Sequence, residues 1–239
     1  MDDIRKYRMK TLAFIPARAG SVGIKNKNLA LLGDRPLYQW ALEAALNTQG
    51  IDHTVLSTDI QGLDLSHLSR ENSFEVHKRP RHLRDGLSYR ISSVVKNYLK
   101  NAEEEYDLVA LFQPTSPFVR PEHVEGLLRG MKENRVYNSA QTICRIPHNY
   151  HYQNQREIKG ESVDFCFGTW DGRASRKQDK PTVYKFGNMV VIKTGCLSIR
   201  QDMFPLPSFG LEVNWKHAID IDTQEDLDIA NLLYGTELV

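Results

Sequence analysis

Residues 14–28, FIPARAGSVGIKNKN, carry three cationic side chains (Arg18, Lys25 and Lys27), two glycines (Gly20 and Gly23) and no carboxylate. That mixture suits an anion. Glycines let backbone N–H groups approach a phosphate closely, and the cations neutralise it. The spacing is neither GxGxxG nor GxxxxGK[ST]. Two readings therefore stand, a phosphate-holding loop and a basic surface turn. Near the other end of the chain, Asp220 and Asp222 stand two apart in IDID. In an extended segment that spacing puts both carboxylates on one face, where they can approach one hard cation. The competing reading, charge at the start of the last helix, is better served by Glu225 and Asp226. Gln113, Thr115 and Ser116, in QPTSP, offer an amide and two hydroxyls at the end of an apolar run. Taken alone they read better as a Pro-bounded turn whose hydroxyls cap a nearby helix. Arg79 and Asp59 stand at further strand ends, as binding groups or as surface charge and cap.

These residues need elements to position them. The apolar run TLAFIPA (11–17) predicts a strand buried on both faces. Residues 36–48 predict a helix with Pro36 in its first position. Strands are predicted at 53–59, 73–79 and 107–113, and amphipathic helices at 88–102 and 120–133. This alternation implies an α/β fold, a doubly wound and mostly parallel sheet with helices on both faces. Its ligand belongs at the carboxyl ends of the strands, where the cationic loop lies. After residue 140 the pattern changes. Residues 139–146 and 185–194 read as strands, and a polar, aromatic stretch separates them. We read 1–140 and 186–239 as the core, and 141–185 as a lid or an arm that packs on a second subunit. His148, His151 and neighbouring tyrosines belong to that arm. The chain closes with a short strand in 215–223, then a helix capped by Thr223 with Asp226 three residues on.

Composition narrows the function classes. With 31 basic and 30 acidic residues among 239, nothing suggests sequence-independent nucleic-acid binding or attachment to anionic membrane. Cys144, Cys166 and Cys196 form no CxxC pair and read as buried free thiols of a reducing compartment. The charged start MDDIRKYRMK has no apolar signal core, and no run reaches membrane-spanning length. The expected location is the cytoplasm.

IPARAGSVGIKNKN resembles the signature loop of the CMP-acylneuraminate (sialic acid) synthetase family of cytidylyltransferases, approximately IPARxGSKGIxxKN. LSTD (56–59), QPTSP (113–117), RKQD (176–179) and IDIDTQEDL (219–227) match further family segments in the same order. The resemblance implies CMP transfer from CTP to the anomeric hydroxyl of a nonulosonic acid, with pyrophosphate released. It implies catalytic roles for Arg18 and Lys27, and nucleotide contacts from Ala17, Ala19, Gly20, Ser21, Asn28 and Arg79. It assigns the sugar to Gln113, Thr115 and Ser116, and Mg²⁺ to Asp220 and Asp222, in a homodimer. Three positions depart from the pattern. Val22 replaces a common lysine, Gly187-Asn188 stands where an Asn-Gly pair is usual, and Arg120 falls one place late. The alternatives are a synthetase for an eight-carbon, Kdo-like acid and a catalytically silent nucleotide-binding relative.

Overall fold

The computed structural model describes residues 8–21, 23–63, 65, 74–83, 90–167, 176–200 and 203–236. Val22 and the predicted element ends at 73, 88 and 89 lie outside them. The elements are β1 (Thr11–Ala17), β2 (Leu31–Leu32), β3 (Arg35–Pro36), α1 (Leu37–Leu46), β4 (His53–Thr58), β5 (Glu75–Lys78), α2 (Ile91–Asn101) and β6 (Leu108–Leu111). After these come α3 (Pro121–Glu133), β7 (Ser139–Arg145), β8 (Arg156–Lys159), β9 (Ser162–Phe165), β10 (Tyr184–Lys193), α4 (Thr194–Arg200), β11 (Ser208–Glu212) and α5 (Gln224–Tyr234).

Seven strands form the main sheet in the order β11-β7-β10-β6-β1-β4-β5. All pairings are parallel except those of β10, which runs antiparallel to both β6 and β7. Every residue of β1 is buried, as its uninterrupted apolar run requires. One face of the sheet packs Tyr38 and Leu42 of α1 and Leu127 and Met131 of α3; the other packs Val94, Val95 and Tyr98 of α2 with Leu197 of α4. Helix α3 shows why these residues form a helix. Pro121 occupies its first turn. Val124, Leu127, Leu128 and Met131 recur at helical spacing and are all buried.

A third cluster joins distant parts of the chain. Ile24, Leu32, Leu37, Phe118, Ile221, Leu227 and Ala230 pack together, so the segment before α5 is held against the loop after β1. The strands β8 and β9 pair only with each other, apart from the main sheet. Among the described residues no helix is long and apolar enough to cross a membrane.

Three expectations need correction. Pro36 is the extended residue before α1 (ψ 150°), not its first turn, because it pairs with Leu31 in the β2–β3 ladder. The short strand expected within 215–223 is a 3-10 turn at Trp215–Ala218, closed by Asn214 accepting the Lys216 N–H, and an extended run follows it outside any sheet. Of the three free cysteines only Cys144 is buried; Cys166 and Cys196 are partly exposed, since neither joins a core cluster. Strand β11 and helix α4 were not anticipated from local pattern.

Candidate active site

The loop after β1 is tied down at several points. Asp59, just beyond β4, accepts the Ala19 N–H at 2.8 Å. Asn28, itself buried, donates its amide to the Arg18 carbonyl at 2.7 Å. Gly20 takes a left-handed conformation (φ 72°), which glycine adopts without steric cost. Gly23 has a different reason to be glycine: a Cβ built there would lie 2.3 Å from the Asp222 carbonyl oxygen. The loop and the IDID segment thus meet backbone to backbone.

Side chains continue that contact. Lys27 donates to Asp222 Oδ1 at 2.7 Å, with the lysine largely covered and the carboxylate 72% exposed. Ser116 is buried and donates its hydroxyl to Asp220 Oδ1 at 3.3 Å, while the Ile221 N–H reaches the Thr115 carbonyl at 2.8 Å. Ile221 is buried and its neighbours Asp220 and Asp222 are exposed. The alternation of an extended run therefore holds, with both carboxylates on the outer face. Thr223 and Asp226 form the reciprocal capping box that starts α5 immediately afterwards.

Together these segments surround a cleft of about 440 Å³ at the carboxyl ends of β1 and β6. Arg18, Ser21, Gly23, Lys27, Asn28, Gln113, Thr115 and Asp222 line it, with Pro16, Pro114 and Ile91. Of the other expected site residues, Ala17 is buried as the last residue of β1, and Ala19 turns its N–H to Asp59. Ser116 and Asp220 face each other beside the cleft. Arg79 lies at the end of β5, buried, with its N–H on the Thr58 carbonyl and its guanidinium on the Ser57 carbonyl at 3.3 Å. It is not among the lining residues. Arg120 also stays apart, in a groove with Trp40 and Tyr234, 3.8 Å from Glu122. His151 is buried against the Pro181 carbonyl, on the side of the arm.

Two contributors escaped sequence reasoning. Ile91 opens α2 and supplies an apolar wall; its only local signal is its place at the start of an amphipathic helix. His217 binds the Phe118 carbonyl at 3.0 Å and stacks edgewise on His123, with ring centres 4.7 Å apart. It braces the QPTSP turn against the segment leading to Asp220. Burial lowers the pKa of both imidazoles. That of His123 falls to about 4, with His217 adding to the effect.

The cytidylyltransferase family model matches residues 12–163. An N-acylneuraminate cytidylyltransferase of Escherichia coli is 31% identical over 141 residues, 58% of this chain and 32% of that protein. This chain thus spans about a third of that relative's length. A pseudaminic acid cytidylyltransferase of Campylobacter jejuni is 26% identical over 231 residues, 95% of this chain and 97% of its own length. A solved CMP:2-keto-3-deoxy-manno-octonic acid synthetase complexed with CTP superimposes with a TM-score of 0.67 at 18% identity, covering 94% of this chain and 98% of that one. That likeness concerns the fold. The cationic loop, its place at the carboxyl ends of the strands and the family match agree, and the chain belongs to the cytidylyltransferase family.

Proposed function

We propose that the protein transfers CMP from CTP to the anomeric hydroxyl of a nonulosonic acid and releases pyrophosphate. The observation that carries this reading is the convergence of Arg18 and Lys27 with Asp222 in one cleft, from segments 195 residues apart at the Lys27–Asp222 pair. In the reaction the sugar hydroxyl oxygen attacks the α-phosphorus. The bond to the bridging oxygen breaks, pyrophosphate leaves with the electron pair, and the hydroxyl proton passes to solvent water. Charge grows on the departing oxygen, so fixed cations beside it stabilise the transition state more than the ground state. Arg18 and Lys27 fill that role. Gly20 and Ser21 offer N–H groups to the phosphates, and Asn28 keeps the loop in shape through Arg18. Arg79, at the β5 end, belongs to the cytidine side. Gln113 and Thr115 face the acceptor, and Ser116 orients Asp220.

Magnesium fits the donor set. Asp220 and Asp222 share a face, and among the described residues no third His, Cys, Asp or Glu converges with others into a full cage. Two carboxylates with the remaining sites left to phosphate oxygens and water is the usual arrangement for this ion. When bound, Mg²⁺ neutralises phosphate charge; Lys27 occupies Asp222 in this structure.

We also propose a homodimer joined through 141–185. In the β8–β9 hairpin Ile158 faces Val163 and Arg156 faces Phe165 across the strands, so Ile158, Val163 and Phe165 share one face with Arg156 stacked on Phe165, with Ile158 79% and Val163 66% exposed. Glu157, Lys159 and Asp164 are linked by ion pairs. A two-stranded hairpin alone is marginal in water, and this one carries a face suited to a second copy. The free cysteines fit a reducing cytoplasm.

The test is pyrophosphate release from CTP and Mg²⁺ with neuraminic, legionaminic, pseudaminic and octulosonic acids. Release with one nine-carbon acid is the expected result. Release with the octulosonic acid alone would move the substrate to the eight-carbon class, and silence across the panel while CTP binds would favour a silent binder.

A further inference from the structure

The turn after β6 and the segment before α5 run past each other in opposite directions, and three contacts in register join them. The Ile221 N–H donates to the Thr115 carbonyl at 2.8 Å, and the Ser116 hydroxyl donates to Asp220 Oδ1 at 3.3 Å. The third contact comes from a ring. His217 Nδ1 lies 3.0 Å from the Phe118 carbonyl oxygen, which can only accept, so Nδ1 carries the proton. The turn advances from 115 to 118 as its partners retreat from 221 to 217. That is the register of an antiparallel pair, built here outside any sheet.

Asp220 therefore sits between two anchors. Toward α5, Ile221 is buried with Ile24, Phe118 and Leu227. On the other side the anchor is the imidazole, and its acceptor residue, Phe118, is buried in that same cluster. The ring is itself held in place. His123 meets it edgewise, with ring centres 4.7 Å apart, and His123 Nδ1 accepts the Arg120 N–H at 3.2 Å where α3 begins. One residue along, the Ala218 carbonyl accepts from the Lys185 ammonium of β10 at 2.5 Å. These contacts leave the His217 N–H one place to point, the turn that carries Ser116.

We infer that His217 is a positioning residue for the transfer reaction: its bond to the Phe118 carbonyl fixes Asp220 against Ser116, on the face that Asp220 shares with Asp222. This rests on the cytidylyl-transfer reading above. Without the bond, the segment keeps its hold on the turn at Ile221 and loses the one at 217. A displacement of about 1 Å at a reacting site is enough to cost about a hundredfold in rate.

Two measurements test this in wild type, His217→Asn and His217→Leu. One is Mn²⁺ binding in the presence of CTP, read from the electron paramagnetic resonance of the free ion; the other is steady-state pyrophosphate release. Asparagine places an N–H where Nδ1 stands, and leucine has nearly the same shape with no donor. The expected result for His217→Leu is Mn²⁺ held at least fivefold more weakly and kcat lowered at least tenfold, with CTP KM at saturating metal within twofold. Asparagine restores both values to within threefold of wild type. Wild-type values in His217→Leu overturn the inference, and so does an equal loss in both variants, which would assign the effect to ring packing. If the leucine variant does not fold, asparagine decides alone: a tenfold loss at unchanged Tm overturns the role of the N–H. Wild-type silence with every acid of the panel overturns the transfer reading, whereas wild-type turnover beside an unaffected His217→Leu overturns this inference only.

Discussion

Two of the excursions from the main sheet are built in opposite ways. The loop after β1 is fastened to β4 through Asp59, to itself through Asn28, and to the C-terminal segment through Gly23 and Lys27. The β8–β9 hairpin has one ladder, charged ends and an apolar face turned to solvent. A loop proposed to hold a triphosphate in one geometry gains from contacts within its own chain, because preorganised charge needs no rearrangement at the moment of reaction. The hairpin's strands pair only with each other, and an exposed apolar face of this kind has a physical rationale against another surface.

The contrast can be broken from either side. Gly23→Val should have the largest effect. Its side chain meets the Asp222 backbone, so the loop and the IDID segment must separate. Overpacking of this kind costs ~1–3 kcal/mol, and turnover should fall well over tenfold as the charges move apart. Thermal melting and pyrophosphate release check both parts; wild-type turnover would show that the close approach does not matter. The hairpin should respond differently. If the proposed homodimer forms through this face, Ile158→Asp with Val163→Asp should convert it to a monomer in sedimentation velocity. Because both positions are exposed in the single chain, monomer stability should change by only about 0.5 kcal/mol, as for other surface substitutions. A variant that stays dimeric would place the interface elsewhere.

The smallest effect expected concerns the His123–His217 brace. Both imidazoles titrate below their ordinary value of 6.5 in the folded chain, His123 near 4. Between these values the unfolded chain binds protons that the folded chain does not, so stability falls as pH drops from about 6.5 toward 4 and is flat above that window. His123→Gln should shallow the decline in Tm between pH 6.5 and 4.5. An unaltered slope would assign the acid sensitivity to other groups.

Much of the sheet was legible because its signals are local. The unbroken apolar run of β1 and the spacing of Val124, Leu127, Leu128 and Met131 in α3 need no knowledge of partners. The cationic loop was legible for the same reason, as a composition no core strand would carry. What escaped depends on complementarity between distant segments. Strand β11 packs Phe209 and Leu211 against α3 where Gly130 and Gly126 leave room, and neither half signals the other. The contact of Gly23 with the Asp222 carbonyl is of the same kind. The 3-10 turn at Trp215–Ala218 is capped by Asn214, and the IDID run after it keeps its alternation but pairs with no strand, so it is not part of a sheet.

The most direct test of the account is calorimetric titration of CTP, with and without Mg²⁺, into wild-type protein and Lys27→Ala. If the loop and the IDID segment form one triphosphate site, wild type binds CTP more tightly with Mg²⁺, and Lys27→Ala loses at least tenfold in affinity, about 1.4 kcal/mol. Equal CTP affinity in the two proteins, with or without the metal, would contradict the site.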